Sequence, residues 1–374
     1  GKSYEVNKLG DAPLLLNGKA ITRAKLEDHD VLTAGPVAMI YISADELRGF
    51  KRKDDDVEFD TDAAKEIALD PHLSNIGQKC GDFQICAVVA IRPQVEIYLG
   101  IAPVTKDILA DYPVALRMPG ESNRSNPNIK AVYESAREAH AALSHNALVR
   151  LRGHGEFKKR PFLATNYVNG TTLSTLTENG RVIYEELLLN IAIDVLHGLD
   201  YMQKKGFVLR NLSPENIMVD QAGNATIINL EHVVRVDTEH IPSQFQAHAP
   251  AAVLRHRPPE YFAEKGVANP RSDIFSAASV FYLALAGCTP WEHPNQTGRV
   301  GETATLPRAN ADTFKMPPTP LTQRVADISP KVWPALEKAL KVDPFHRYSR
   351  ASEFAAAIEE AQADAAVKKK TGKA

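Results

Sequence analysis

Cysteine is scarce in this chain: three among 374 residues, Cys80, Cys86 and Cys288. That excludes a disulfide framework. Cys80 and Cys86 are spaced to meet across a strand, but free thiols in a reducing compartment, the cytoplasm, are expected. An excess of charge of one sign is also missing. Lys and Arg number 44 against 46 Asp and Glu, a formal net charge of -2. No electrostatic ground exists for a nucleic-acid partner or an acidic membrane surface. No apolar run reaches the ~18–20 residues of a membrane span, and GKSYEVNKLG lacks a signal-peptide core, so direct membrane insertion is not expected. Metal-ligand spacing is absent too: His240, His248 and His256 share one loop without it, and no metal site is expected. Aromatic residues are few, and Trp291 and Trp333 read as packing residues. What is present is ordinary for a globular chain, 44% hydrophobic and 24% charged, with length for two or three domains.

Residues 1–79 read as a small β-rich extension with a charged linker. Pro13–Asn17 and Val37–Ser43 are strand candidates around Asn17-Gly18, a two-residue turn signal. Residues 51–65, KRKDDDVEFDTDAAK, read as a solvated linker. Leu14–Ile42, with N-G closing one strand and L-x-D-x-D-x-L opening another, resembles the last third of a forkhead-associated domain. The strands that would carry that family's phosphothreonine-binding Arg and Ser are not in the chain.

From Cys80 strands follow: Gln84–Ile91, Val95–Ile101 and Tyr112–Met118, then a helix over Asn128–Leu143, then strands at Leu148–Gly153 and Pro161–Tyr167. Tyr184–Lys204 carries Leu187, Leu188, Ile191, Val195, Leu196 and Leu199 on one helical face. Two apolar runs, Ile217–Val219 and Thr226–Leu230, flank the turn Gln221-Ala222-Gly223-Asn224 and predict a β-hairpin. Glu231–Arg257 has no apolar period and reads as a loop. An apolar helix runs from Arg271 to Leu285, a loop covers 293–320, and helices follow at Val332–Leu340 and Ser352–Ala365. Residues 363–374 read as a basic disordered tail through Lys368–Lys370.

The order of these landmarks resembles a protein kinase domain over residues 80–362. Leu209-Arg210-Asn211-Leu212-Ser213-Pro214-Glu215-Asn216 is similar to the catalytic loop H-R-D-L-x-x-x-N. Asn229-Leu230-Glu231 falls where that family has D-F-G, and Pro258-Pro259-Glu260 where it has A-P-E. Arg271-Ser272-Asp273-Ile274-Phe275-Ser276 is similar to R-S-D-I-Y-S, and Asp343-Pro344-Phe345-His346-Arg347-Tyr348-Ser349 to D-P-x-x-R-x-S. The wording of these motifs resembles bacterial Ser/Thr kinases most. The resemblance implies an α+β, bilobal fold: a five-stranded small lobe with one helix and a mainly helical large lobe.

The reacting positions depart from the family's. Asn211 stands where a carboxylate accepts the substrate proton, and a carboxamide has no useful basicity. Asn229 stands where a carboxylate holds magnesium, for which a neutral carbonyl is a poor ligand. Ile91-Arg92-Pro93-Gln94 has no glycine where phosphates need bare backbone. Val114-Ala115-Leu116-Arg117 puts Arg117 at the phosphate-binding Lys. Ala136 replaces the Glu that pairs with it, with Glu134 and Glu138 on either side and a salt bridge from Arg117 to one of them expected. Ser213 replaces the loop Lys. Asn216 alone is retained.

The structural positions are kept. Leu209 and Leu230 stay apolar, Asp273 can accept backbone N–H bonds from the loop, Glu260 and Arg347 can pair, and Arg210 remains. Arg255-His256-Arg257 reads as a solvated loop end. The expectation is therefore a catalytically inactive pseudokinase: a scaffold or allosteric subunit bound to protein partners, with no cofactor and with ATP and magnesium binding unlikely. Two alternatives stand beside it. One is an atypical phosphotransferase or nucleotidyltransferase using substitute acids, Glu231 before Asp237 or Glu239. The other is a phosphopeptide-binding adaptor built on the N-terminal segment.

Overall fold

The computed structural model describes residues 5–8, 13–27, 30–34, 37–40, 57–102, 113–124, 126–236, 255–262, 269–292 and 311–371. They belong to two units, 1–137 with 151–167, and 138–150 with 168–374.

Six short strands open the first unit: β1 (Glu5–Asn7), β2 (Leu14–Leu16), β3 (Lys19–Lys25), β4 (Val31–Ala34), β5 (Val37–Ile40) and β6 (Val57–Phe59). Their order is β1-β3-β2-β4-β5, with β6 also on β3. Asn17 and Gly18, at φ 50° and 83°, make the β2–β3 reversal. A Cβ at Gly18 would lie 2.5 Å from Gly77 Cα, so glycine is required there. Thr33 Oγ1 donates to the Cys86 carbonyl at 2.6 Å, and Gly77 N–H to the Ile85 carbonyl at 2.8 Å. The extension is thus hydrogen-bonded to the sheet that follows. Part of the expected linker is regular structure, since β6 and α1 (Thr61–Leu69) fall in or across it. Asp60 explains this: it caps the helix through Ala63 N–H at 2.9 Å and pairs with Lys8 at 2.7 Å.

The second sheet holds β7 (Lys79–Cys80), β8 (Phe83–Ile91), β9 (Val95–Ile101), β10 (Pro113–Pro119), β11 (Leu151–Phe157) and β12 (Arg160–Asn166), in the order β11-β12-β10-β9-β8-β7. All pairings are antiparallel. The five expected strands are six because the chain doubles back once more at β7. Short α2 (Glu121–Arg124) and α3 (Ile129–Ala142) lie between β10 and β11. The strand expected at Leu148–Gly153 instead starts at Leu151. Leu148 bridges to Ile227, and Val149 N–H bonds the Ile227 carbonyl at 2.9 Å.

The second unit contains β13 (Gly170–Thr172), α4 (Leu173–Leu176), α5 (Glu185–Lys204), β14 (Phe207–Val208), β15 (Ile217–Asp220), β16 (Ala225–Ile227), β17 (Val234–Arg235), α6 (Pro270–Ala286), α7 (Val332–Ala339) and α8 (Ala351–Thr371). The α5 stripe is buried, except that Leu187 is only partly covered. Helix α6 is apolar on all sides, as a central helix must be, and is buried from Ser272 to Leu285. Asn269 Oδ1 caps it on Arg271 N–H at 2.8 Å, and Gly287, at φ 73°, ends it. Helix α8 continues to Thr371, beyond the expected start of the tail. Its run AQADAAVKKK has high helix propensity and places lysines at the negative end of the helix dipole.

Candidate active site

The loop between β14 and β15 is fixed by one carboxylate. Asp273, in the first turn of α6, accepts Leu209 N–H on Oδ2 at 2.7 Å and Arg210 N–H on Oδ1 at 2.8 Å. Burial pushes this carboxyl up to about 7, while the two N–H bonds and the Arg210 charge pull the other way. Arg210 needs the support, because its φ is 65°. A left-handed backbone costs a side-chain-bearing residue about 1–2 kcal/mol. Its Nε also donates to the His232 carbonyl at 2.8 Å. Leu209 and Leu230 are both buried in the core of the second unit.

The polar positions sit on this frame. The Asn211 backbone carbonyl accepts Asn216 Nδ2 at 2.8 Å, and the Asn216 carbonyl accepts Ile228 N–H at 2.9 Å. Loop and hairpin are therefore tied through Asn216. Asn229 is buried, and its Oδ1 accepts Glu231 N–H at 3.1 Å. Glu231 is half-buried. Ser213 is fully buried, and its Oγ has no hydrogen bond among the described residues. Glu215 has no motif role of its own in the sequence: Oε1 accepts Ser174 Oγ at 3.2 Å, while the buried Oε2 has no partner among the described residues. Glu260 and Arg347 form a two-pronged pair at 2.8 Å on both arms. Arg347 also donates to the carbonyls of Lys341, Val342 and Arg271, and Ser272 Oγ donates to Glu260 at 2.7 Å.

In the first unit, Arg117 lies on β10 opposite Ile97 and Leu163 and is buried. Glu134, one of the two partners expected for it beside Glu138, accepts from Arg137 Nε at 3.0 and 2.9 Å, one helical turn away. Ala136 is buried with Tyr133 and Leu163. The β8–β9 turn is closed tightly: Arg92 N–H bonds the Val95 carbonyl at 3.0 Å, and Val95 N–H the Arg92 carbonyl at 3.2 Å. Its outward carbonyls are used as well. Pro93 O accepts Ser122 N–H at 2.8 Å, and Gln94 O accepts Gly120 N–H at 3.0 Å and Asn123 Nδ2 at 2.9 Å. Pro119-Gly120 is the sequence signal for this bracket.

Arg255-His256-Arg257 differs from the solvated loop end expected. Arg255 Nε pairs with Glu292 at 2.8 Å, and His256 is buried with Nδ1 2.9 Å from Ser279 Oγ. Burial, aided by the Arg255 charge, pulls His256 down to about 3, so it is a neutral core residue. Trp291 stacks on Phe275 with ring centres 5.5 Å apart. Asp237, Glu239, His240 and His248 lie outside the described residues. Cys80, Cys86 and Cys288 are buried and unpaired.

These donors do not fit a magnesium ion held by the protein. Asn229 and Asn216 offer only neutral oxygens, poor ligands for a hard dication, and no cluster of three His, Cys, Asp or Glu among the described residues could hold a metal. In the β8–β9 turn, Pro93 lacks an N–H and two others close the hairpin, so no backbone cradle for phosphates is present there.

No helix of the described residues is long and apolar enough to cross a membrane. The protein kinase domain model matches residues 110–361. The chain is 26% identical over 235 residues to the probable serine/threonine-protein kinase PknB of Bifidobacterium longum, covering 62% of this chain and 30% of that protein. It is 27% identical over 238 residues to the serine/threonine-protein kinase PknL of Mycobacterium tuberculosis, covering 63% and 57%. It is 26% identical over 284 residues to the serine/threonine-protein kinase PrkC of Bacillus subtilis, covering 75% and 40%. The chain thus spans about a third to just over half the length of these relatives. These matches overturn the expectation of an inactive scaffold, of an N-terminal adaptor and of a protein that is no enzyme. They also oppose the expectation that ATP and magnesium do not bind. Phosphoryl transfer is mostly positioning and electrostatics and does not hang on individual acids, and the positioning frame around Asp273 is intact. Two-thirds of the sequence follows the kinase pattern, and the chain belongs to the protein kinase family.

Proposed function

We propose that this chain is a phosphotransferase that moves the terminal phosphoryl group of ATP to a serine or threonine hydroxyl of a protein. The observation that carries the reading is the loop held in its left-handed turn by Asp273, with Asn216 tied to Asn211. Family membership and the names of the relatives support it.

In this reading the acceptor hydroxyl is aimed by the Asn211 carboxamide, whose oxygen accepts its hydrogen bond. The hydroxyl oxygen forms a bond to phosphorus as the bridging P–O bond to the ADP leaving group breaks. The hydroxyl proton passes to an oxygen of the transferred phosphoryl group, since Asn211 cannot take it. In a loose transition state this proton leaves late, so a missing base slows the reaction without forbidding it. Magnesium arrives on the nucleotide as part of the substrate. Glu231, two residues beyond Asn229, is the carboxylate that would make up the charge Asn229 lacks, and it would meet magnesium only as part of the bound nucleotide. The protein acceptor is cytoplasmic, in keeping with three unpaired buried thiols.

The test is transfer of labelled γ-phosphate to a mixture of protein acceptors. The parent chain should label them slowly. Asn211→Asp should raise the rate by about 10²–10⁴, the usual worth of a positioned base, and Glu231→Gln should lower it. Silence from both the parent and a stably folded Asn211→Asp variant would end the proposal.

A further inference from the structure

One cavity in the first unit has cationic walls. It begins from a buried anion, Glu96 on β9, which is 1% exposed. Its carboxylate receives Arg160 Nη1 at 2.8 Å, Arg124 Nη2 at 2.9 Å and the Tyr98 hydroxyl at 2.9 Å. Burial pushes the Glu96 carboxyl up, but those three bonds outweigh it and keep the group ionised. A single fixed charge therefore orients two guanidinium groups, and a guanidinium has five N–H donors. Arg124 Nη1 takes Glu121 at 2.7 Å, and Arg160 Nη1 takes the Pro119 carbonyl at 3.1 Å. Donors remain on both forks.

Above them lies a cavity of about 270 Å³ lined by Arg124, Lys130, Lys159 and Arg160, with Pro119 and Ile129 among the apolar walls. No carboxylate lines it. Lys130 reaches Glu156 at 2.6 Å, but both side chains are more than half exposed, and such a pair holds its partners weakly. Lys159 makes no ion pair among the described residues. It occupies the β11–β12 turn with Lys158, at φ 64° and 50°. Asn-Gly is the usual choice at such a turn, so two lysines there answer some need other than the reversal. Lys158 donates to Asn75 at 2.7 Å; Lys159 is left to the cavity.

The geometry points to a binding site for a phosphate monoester, carried on a phosphorylated serine or threonine side chain, in the cavity of Arg124, Lys130, Lys159 and Arg160. Planar guanidinium forks match phosphate oxygens bidentately, and lysines add point charge. The volume is near the lower end of the ~300–1,000 Å³ of small-molecule sites, a size suited to a single phosphate group with its stem. A dianion with three acceptor oxygens uses four cations more fully than a carboxylate does. All four residues lie outside residues 1–79, and the inference does not rest on the proposed reaction.

The experiment is calorimetric titration of the full chain with three probes. They are a degenerate peptide library centred on phosphothreonine, the same library unphosphorylated, and inorganic phosphate. The phosphorylated library should bind and its twin should not. Affinity should fall below about pH 6, where phosphate takes its second proton. Lys159→Gln, an exposed change without structural partners, should weaken binding several-fold, and Lys159→Gln with Arg124→Gln at least tenfold, at an unchanged melting temperature for the single variant. Inorganic phosphate binding as tightly as the peptides would keep the site and identify its ligand as the free anion. Failure of both the phosphorylated library and inorganic phosphate to bind, equal binding of the two libraries, or binding indifferent to Lys159→Gln and the double variant, would overturn it.

Discussion

The two stretches that occupy the family's phosphate-handling positions have changed in different ways. In the first unit, the hairpin from Ile91 to Val95 has closed on itself, and its outward carbonyls are bound by residues 120–123. In the second unit, the loop from Leu209 to Asn216 has changed its reacting side chains and kept its braces. The contrast shows what substitution costs in each place. Asn for Asp is nearly isosteric and leaves no buried donor orphaned. Removing Asp273 would orphan two buried N–H groups, at about 1–3 kcal/mol each. Reacting groups can therefore change while braces stay. A turn whose backbone was itself the functional element has no brace to keep, and it is rebuilt whole.

The largest effect that would break this contrast lies at the second unit's ion pair. Arg347→Ala should cost about 3–5 kcal/mol in urea unfolding, because it leaves Glu260 charged and largely buried. Glu260→Gln should cost less, since the amide can still accept from Arg347 and Ser272. A loss under 1 kcal/mol for Arg347→Ala would mean that the pair is no brace.

Much of this was legible in the sequence, for physical reasons. The α5 stripe, the β15–β16 hairpin and α6 were readable because local periodicity, turn chemistry and caps agree with the burial finally adopted. Asp273, Glu260 and Arg347 were readable because they sit in long motif runs. The burial of His256 was not, because it depends on Ser279 and Glu292, which are distant in sequence. The Glu134–Arg137 pair hides in the sequence because an i, i+3 neighbour competes with a partner on another strand. The Glu96 network was missed because it draws on Tyr98, Arg124 and Arg160, and no spacing rule joins them. Function is not legible from Asn211 and Asn229, because a neutral side chain does not by itself exclude phosphoryl transfer.

An intermediate effect sharpens the picture of the second unit. Asp200 on α5 is buried; burial alone would raise its carboxyl, but bonds from Lys204, Ser352 and Arg350 hold it down at about 2. In the unfolded chain the ordinary value near 3.8 applies. The unfolded state therefore takes up a proton first on acidification. The α5–α8 link is fully present above about pH 4 and lost as pH falls toward 2, a loss of about 2 kcal/mol. Asp200→Asn should be less stable at neutral pH and should lack that acid limb. A parallel pH profile in parent and variant would mean that the fold does not shift the Asp200 carboxyl, and that its bonds to Lys204, Ser352 and Arg350 do not favour the ionised form.

The smallest expected effect bears on the first unit and decides whether the contrast is structural. Gly120 has a Cβ position 2.5 Å from the Arg92 carbonyl oxygen and 2.6 Å from the Pro93 carbonyl oxygen and Val95 nitrogen. All three are backbone atoms, so Gly120→Ala must move the hairpin or the 120–123 segment. Gly120 is buried, but the Arg92–Pro93 tip it would push against is exposed and can give way, so the cost should be near the lower end of the overpacking range, about 1 kcal/mol. The local consequence should be larger than the global one. Amide hydrogen exchange at Ser122 and Gly120 should quicken at least tenfold as their bonds to Pro93 and Gln94 loosen. The amides of Leu209 and Arg210, held by Asp273 in the other unit, should keep their protection. If Ser122 stays protected in the variant, the hairpin owes its closed form to Pro93 and the Arg92–Val95 bonds alone. The difference between the two regions would then lie in one proline, and the bracket formed by residues 120–123 would have no part in it.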